Sequence, residues 1–68
     1  MKYYLNYSKA IDAYKQAIYF IPDDASVHLG LGVSYFKIGD KNSALNEYKI
    51  LKNLDIDKAY ELLVLIYE

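Results

Sequence analysis

Cysteine, tryptophan and arginine are all missing from this chain of 68 residues, which also holds only one proline and three glycines. Without cysteine, disulfide bonds and zinc sites with thiolate ligands are excluded. Without arginine, and with eight dispersed lysines against nine acidic residues, the chain lacks the basic stripe that nucleic-acid binders carry. No apolar run reaches the roughly 18 residues that a membrane-spanning helix needs. We therefore expect neither nucleic-acid binding nor membrane insertion.

Apolar residues make up 54% of the chain, and nine tyrosines and two phenylalanines bring the aromatic share to 16%. This composition, with little proline and glycine, excludes a disordered tail and predicts one small folded domain. Tyrosine has an apolar ring and a polar tip, which suits half-buried positions between packed layers. The first residues lack the pattern of a cleavable leader, which favours the cytoplasm, while the sequence leaves the compartment undetermined.

Apolar residues recur with helical spacing, and no comparable strand pattern is present. The predicted helices are 7–20, 25–38, 41–54 and, after a turn at 55–57, 58–67. Asn6, Asp24 and Asp40 are the predicted N-caps of the first three, because their side chains can accept hydrogen bonds from free amides. Pro22 disfavours further helix after the first segment, and Gly39 provides a C-terminal stop for the second.

The chain repeats itself after 34 residues. Ala10 falls on Ala44, Tyr14 falls on Tyr48, and the same shift superposes further residues of like size, among them Leu29 on Leu63. A single amphipathic helix cannot bury its apolar side alone, so such units stack on their neighbours.

The central unit, residues 25–58, resembles the tetratricopeptide repeat (TPR), a 34-residue helix–turn–helix unit. The residues that carry the resemblance are Leu31-Gly32, Tyr35, Gly39-Asp40, Ala44, Tyr48 and Leu54-Asp55. The departures are His28 in place of a tryptophan, Leu51 in place of an alanine, Ile56 in place of a proline, and Ile66 in place of a glycine in the last unit.

The resemblance implies an all-α fold in which antiparallel helix pairs form a short right-handed α-solenoid of about two repeat lengths and four helices. In the family's terms the helices alternate between a first type, A, and a second type, B. Residues 1–24 are predicted to be a partial repeat, mainly helix B, and 25–58 the complete repeat. Residues 59–68 are predicted to be helix A of a third repeat, or a capping helix, covered on more than one face.

The resemblance also assigns residues to packing and to binding. The residues expected to pack the repeats together are Ala10, Tyr14, Ala17, Leu31, Gly32, Tyr35, Ala44 and Tyr48. The family binds partner peptides or proteins in a concave groove lined by its A helices. The residues that match this lining are Ser26, Leu29, Gly30, Val33, Phe36, Lys37, Tyr60, Leu63, Val64 and Tyr67, with Phe36 and Tyr67 as expected anchors. Leu29 and Val33 stand where the family's carboxylate-binding members have lysine and asparagine, so a carboxylate clamp is not expected.

No residues assemble into a catalytic or metal site. His28 is the only histidine and is expected to be a packing residue rather than a base or ligand. The acidic pairs at 23–24 and at 55 and 57 precede helices, where carboxylates cap free amides, and they lack the ligands of a calcium loop. The serines have no neighbouring base, so nucleophilic catalysis has no support. The expected protein is not an enzyme and has no cofactor or metal.

Two functions remain open at this point. The first is a scaffold that binds a peptide or helical segment of another protein in its groove. The second is self-association, in which residues 58–68 of one chain dock on residues 1–20 of another, as a dimer or head to tail. RNA binding by a helical repeat is a distant third, and steep salt dependence would be its sign.

Overall fold

Four helices follow one another through short connections. The computed structural model describes the backbone of residues 2–68 and the side chains from Asn6 onward. The helices are α1 (Lys2–Phe20), α2 (Ala25–Lys37), α3 (Lys41–Leu54) and α4 (Ile56–Tyr67). The described residues contain no strand, and the predicted all-α class is confirmed.

Aspartates begin three of the helices. The carboxylate of Asp24 accepts a hydrogen bond from the Val27 amide, and that of Asp40 accepts one from the Ser43 amide, at 3.3 and 3.1 Å. Each thereby satisfies an amide that has no partner within its own helix. Gly39, between α2 and α3, has a φ of 87°, a left-handed conformation that glycine adopts without a steric penalty. The predicted caps of α2 and α3 and the predicted stop at Gly39 are thus confirmed.

Two predicted boundaries are wrong. α1 extends back to Lys2, so Asn6 lies inside the helix and does not cap it. Residues 2–6 contain no proline or glycine to stop the helix, and the tendency of asparagine to cap does not outweigh this continuity. Residues 55–57 do not form a turn, because Asp55 is the N-cap of α4 and accepts from the amides of Asp57 and Lys58.

Helix α2 lies at the centre of the fold. It contacts α1, α3 and α4, while α3 also contacts α4. Among the described residues α1 and α3 do not touch each other. Helices α2 and α4 therefore lie side by side, and each also packs against the helix that precedes it in the chain.

The core lies where α2, α3 and α4 meet. Its buried apolar residues are Ala44, Leu51, Ala59, Leu62 and Ile66. A Cβ built on Gly32 of α2 would stand 2.5 Å from Leu62 Cδ2 and 3.2 Å from Glu47 Cβ, so only glycine allows α2 this close to α3 and α4. Leu51 is fully buried and fills the space between helices at the position where the family has a smaller alanine.

Candidate functional site

An open groove runs between α1 and α2, with a volume of about 510 Å³. Its lining residues are Asn6, Tyr7, Ala10, Tyr14, Ser26, Leu29, Gly30, Val33 and Ser34. None of them carries a charge. Such a surface fits the apolar face of a partner helix, with hydroxyl and amide groups at hand for a few hydrogen bonds.

Gly30 and Tyr14 shape one wall of this groove. A Cβ on Gly30 would stand 2.6 Å from Cζ of the Tyr14 ring, which is too close for any other residue unless the ring moved. The missing side chain lets the half-buried ring of α1 lie directly against the backbone of α2. The sequence singled out Tyr14 as a packing residue, and the structure places it in packing contact and in the groove wall at once.

The repeat shows what covers such a groove elsewhere in the chain. Ala44 lies 34 residues after Ala10, at the same repeat position on α3, and it is fully buried. Ala10 is only half-buried and lines the open groove. Both α2 and α4 pack on α3, with Ala44 in one cluster with core residues of α4 and Gly32 of α2 against Glu47, whereas among the described residues α1 contacts α2 alone. The same position is therefore covered by a helix in one unit and open in the other.

Helix α4 presents an apolar stripe to solvent. Ile56, Tyr60, Val64 and Tyr67 recur every three or four residues along one face and are 48–60% exposed. The opposite face is buried against α2 and α3 through the core residues of α4. The prediction that α4 is covered on more than one face stays a prediction, since within this chain the stripe is exposed.

A second depression, of about 520 Å³, lies at the end of this stripe and is lined by Leu63, Val64, Tyr67 and Glu68. These four stand 34 residues after Leu29, Gly30, Val33 and Ser34 of the α1/α2 groove. The two depressions are thus at equivalent repeat positions. The ammonium of Lys41 lies 4.3 Å from the centre of the Tyr67 ring, a cation–π distance that holds the ring beside α3.

The structure divides the predicted groove residues among different surfaces. Ser26, Leu29 and Val33 line the α1/α2 groove, and Leu63 and Tyr67 line the depression on α4. Tyr60 is exposed on the stripe and Lys37 is exposed at the end of α2. Phe36, an expected anchor, is half-buried against the α3/α4 core and lines neither depression.

The predicted packing residues differ in how well they are covered. Leu31, Gly32 and Ala44 are buried, whereas the other five are half-buried, namely Ala10, Tyr14, Ala17, Tyr35 and Tyr48. The contribution of α1 to the groove, above all that of Tyr7, was absent from the predicted lining. A helix of type B was assigned to packing alone, and the repeat pattern carries no signal for which of its residues stay uncovered.

His28 is buried, at 4% exposure, as a packing residue should be, but it also makes two hydrogen bonds. Its Nδ1 lies 2.7 Å from Oε1 of Glu47 on α3, and its Nε2 lies 2.7 Å from the carbonyl oxygen of Pro22. Sequence reasoning missed Glu47 altogether. The two residues are far apart in the chain, and no local pattern links them.

Other kinds of site find no support in the part of the chain that the structure describes. No group of three or more histidine, cysteine, aspartate or glutamate side chains is placed to hold a metal ion there. Within the same residues, no helix combines the length and the apolar character needed to cross a membrane.

A family model described as TPR repeat matches residues 6–39, half of the chain. The chain belongs to the tetratricopeptide repeat family. The match begins within α1 and ends at Gly39, and so covers both walls of the α1/α2 groove. No curated protein and no solved structure matches the chain significantly.

Membership in the TPR family places this chain among proteins that generally mediate protein–protein interactions and are typically non-enzymatic scaffolds. The predicted division into 1–24, 25–58 and 59–68 stays a prediction, since the matched range follows a different phase of the same repeat.

Proposed function

We propose that this protein is a non-enzymatic interaction module that binds an amphipathic helix of a partner protein in the α1/α2 groove. The observation that carries the proposal is the contrast between Ala10 and Ala44. A helix covers that repeat position on α3, and an equivalent helix fits the open position on α1.

The chemistry of the groove narrows the partner. All nine lining residues are uncharged, so the buried face of the partner helix is apolar and charged residues lie on its outer face. Bulky apolar side chains would fill the space over Ala10 and Gly30 and act as anchors. Lys37 is exposed near one end of α2, where it suits an acidic residue of the partner.

The probe for this proposal is a synthetic peptide of residues 25–38, the helix that covers α3 within the chain. We expect it to bind the full chain in trans, with saturable changes in the NMR spectrum. Ala10→Glu places a charge inside the groove and should abolish binding. Ala13→Glu makes the same change on an exposed position of α1 and is the matched control. Equal binding by both variants, or no binding by the wild-type chain, would contradict the proposal.

A second candidate is self-association, favoured by the exposed stripe on α4. In this arrangement the stripe of one copy occupies the α1/α2 groove of the next. The contact is head to tail, and it propagates unless the geometry closes a ring. The predicted docking region, residues 1–20, contributes through its groove residues, and the side chains of residues 1–5 lie outside the described part.

Absolute mass from light scattering across a concentration series separates the two candidates. Self-association predicts species larger than the monomer that disappear in Ala10→Glu and in Val64→Glu, while Ile50→Glu on α3 leaves them intact. Mixing the first two variants should restore one dimer, because each retains the surface that the other lacks. A monomer at every concentration removes this candidate and leaves the groove free for another protein.

A further inference from the structure

The hydrogen bonds of His28 indicate how many protons it shares with Glu47. A backbone carbonyl can only accept, so the nitrogen that faces Pro22 donates. The 2.7 Å contact between Nδ1 and Oε1 of Glu47 also needs one proton between its two atoms. With that proton on the ring, the pair is a buried imidazolium beside a carboxylate.

The extra proton belongs to the pair even if it moves. Were it to shift along the 2.7 Å contact onto Glu47, the ring would accept from the carboxyl group and still donate to Pro22. In both arrangements the pair holds one proton more than a neutral histidine beside an ionised glutamate. Loss of that proton leaves a lone pair of Nδ1 or Nε2 opposite an acceptor, which is unfavourable because the His28 side chain is only 5% exposed.

The surroundings favour retention of this proton. Burial is the largest influence and lowers the pKa of His28. The hydrogen bonds to Glu47 and Pro22 and the negative charges of Glu47 and Asp23 outweigh it, and the pKa is raised above its ordinary value of 6.5. Asp24, one turn before the ring, uses its carboxylate to cap the Val27 amide. Neither α1 nor α4 supplies a charge that shifts this pKa within the described residues.

These bonds join three parts of the fold beside the groove. His28 belongs to α2, Glu47 to α3, and Pro22 to the connection that sets the direction of α2 after α1. Leu29 and Gly30, which line the groove, directly follow His28. The angle between α1 and α2, and hence the width of the groove, depends on this connection.

We propose that His28, Glu47 and the Pro22 carbonyl form a proton-dependent latch that holds the connection between α1 and α2 and keeps the groove in its observed shape. With the proton in place the latch is closed. Without it, the contacts to Glu47 or Pro22 break and the connection loosens. The claim that this regulates partner binding rests on the function proposed above, whereas the latch itself does not.

The direction of the pH effect follows from the raised pKa of His28. A group whose pKa is higher in the folded state contributes stability that is fully present below its unfolded value, here 6.5, and is lost as the pH rises through the folded value. The folded protein should therefore lose stability from near neutral pH upward. Histidine is the side chain whose ordinary pKa lies between pH 5 and 8, so the change over this range reports His28 together with the terminal amine.

His28 is the only histidine, so its ring can be followed by NMR without ambiguity. We expect both ring nitrogens to be protonated below the midpoint of the titration in the wild-type chain, and that midpoint to lie above 6.5. The amide signals of Ala10 and Gly30 should shift with the same midpoint if the latch controls the groove. A midpoint at or below 6.5 overturns the latch, and a ring that titrates while the groove signals stay still overturns its link to the groove. No partner is needed, so neither result depends on the proposed function.

Unfolding temperature as a function of pH gives an independent measure. Between about pH 6 and about pH 9 we expect the wild-type unfolding temperature to fall. Glu47→Gln should flatten this slope, because an amide can accept from the charged ring or donate to the neutral one. Glu61→Gln, the same change at an exposed position of α4, should keep the wild-type slope. A flat wild-type curve, or equal slopes in Glu47→Gln and the wild type, contradicts the proposal.

Discussion

Gly32 and Leu62 are in such close contact that a Cβ on Gly32 would stand only 2.5 Å from Leu62 Cδ2. Leu62 is fully buried, so its methyl group has nowhere to go. Gly32→Ala should therefore destabilise the protein. Overpacking costs about 1–3 kcal/mol, which exceeds the roughly 1 kcal/mol that alanine gains over glycine within a helix. Urea unfolding measures the net change.

Gly30→Ala is the matched control, because it lies on the same helix and its Cβ also meets a side chain. There the obstacle is the tip of Tyr14, which is half-buried and borders an open groove, so the ring can swing aside. We expect Gly30→Ala to be neutral or mildly stabilising. If Gly32→Ala is no worse than Gly30→Ala, the close approach of α2 to α4 is not required for the fold.

Leu51 should be among the most sensitive core positions, since its side chain is fully buried on α3. Leu51→Ala restores the residue type of the TPR pattern but leaves a cavity here, with an expected loss of about 2–5 kcal/mol. Leu54→Ala removes the same atoms at the end of the same helix, where the side chain is 36% exposed, and should cost clearly less. Equal effects in denaturant unfolding would show that the core between α3 and α4 is not packed as described.

Asp55 should make the stability of the protein fall at acid pH. Its pKa is lowered from 3.8 chiefly by the hydrogen bond from the Lys58 amide, so its contribution is present above that value and is lost as the pH falls through the folded pKa. Asp55→Ala should lower the unfolding temperature at pH 7 and weaken its fall in acid. Asp57→Ala removes a nearby exposed carboxylate in the first turn of α4, which interacts with the helix dipole but accepts no amide hydrogen bond among the described residues. It should change the unfolding temperature at pH 7 and its fall in acid less than Asp55→Ala does.

A substitution at Phe36 tests whether this residue binds a partner or packs in the core. The family pattern assigns it to the groove, whereas the structure packs it against the core. We expect Phe36→Ala to lower the unfolding temperature by several degrees, because apolar contacts are lost. Lys37→Ala on the adjacent exposed position should not. A Phe36→Ala chain that unfolds like the wild type but no longer binds the peptide of residues 25–38 would return Phe36 to the groove.

The parts of the fold that depend on local chemistry could be predicted from the sequence. Asp24 and Asp40 each cap a helix through an amide three residues on, and Gly39 needs its left-handed φ only for the turn that it forms. Such features involve neighbours in the chain. Asn6 misled for the same local reason, because a good capping residue need not cap where the helix can continue through it.

The site was harder to predict because it depends on which helix faces remain uncovered. Ala10 and Ala44 look alike in sequence, but α3 is packed against two helices and α1 against one, so Ala44 is buried and Ala10 is left half-buried. The contact between His28 and Glu47 likewise joins different helices and follows from the three-dimensional arrangement alone. The repeat predicts equivalent positions but not equivalent surroundings.

The central claim is that the α1/α2 groove receives a helix. Chemical-shift mapping of the full chain with the peptide of residues 25–38 tests it most directly, because it reports each backbone amide separately. The account predicts that the largest changes fall on Ala10 and Tyr14 in one wall of the groove and on Gly30 in the other. Changes confined to the exposed stripe of α4, with these three amides unmoved, would contradict it.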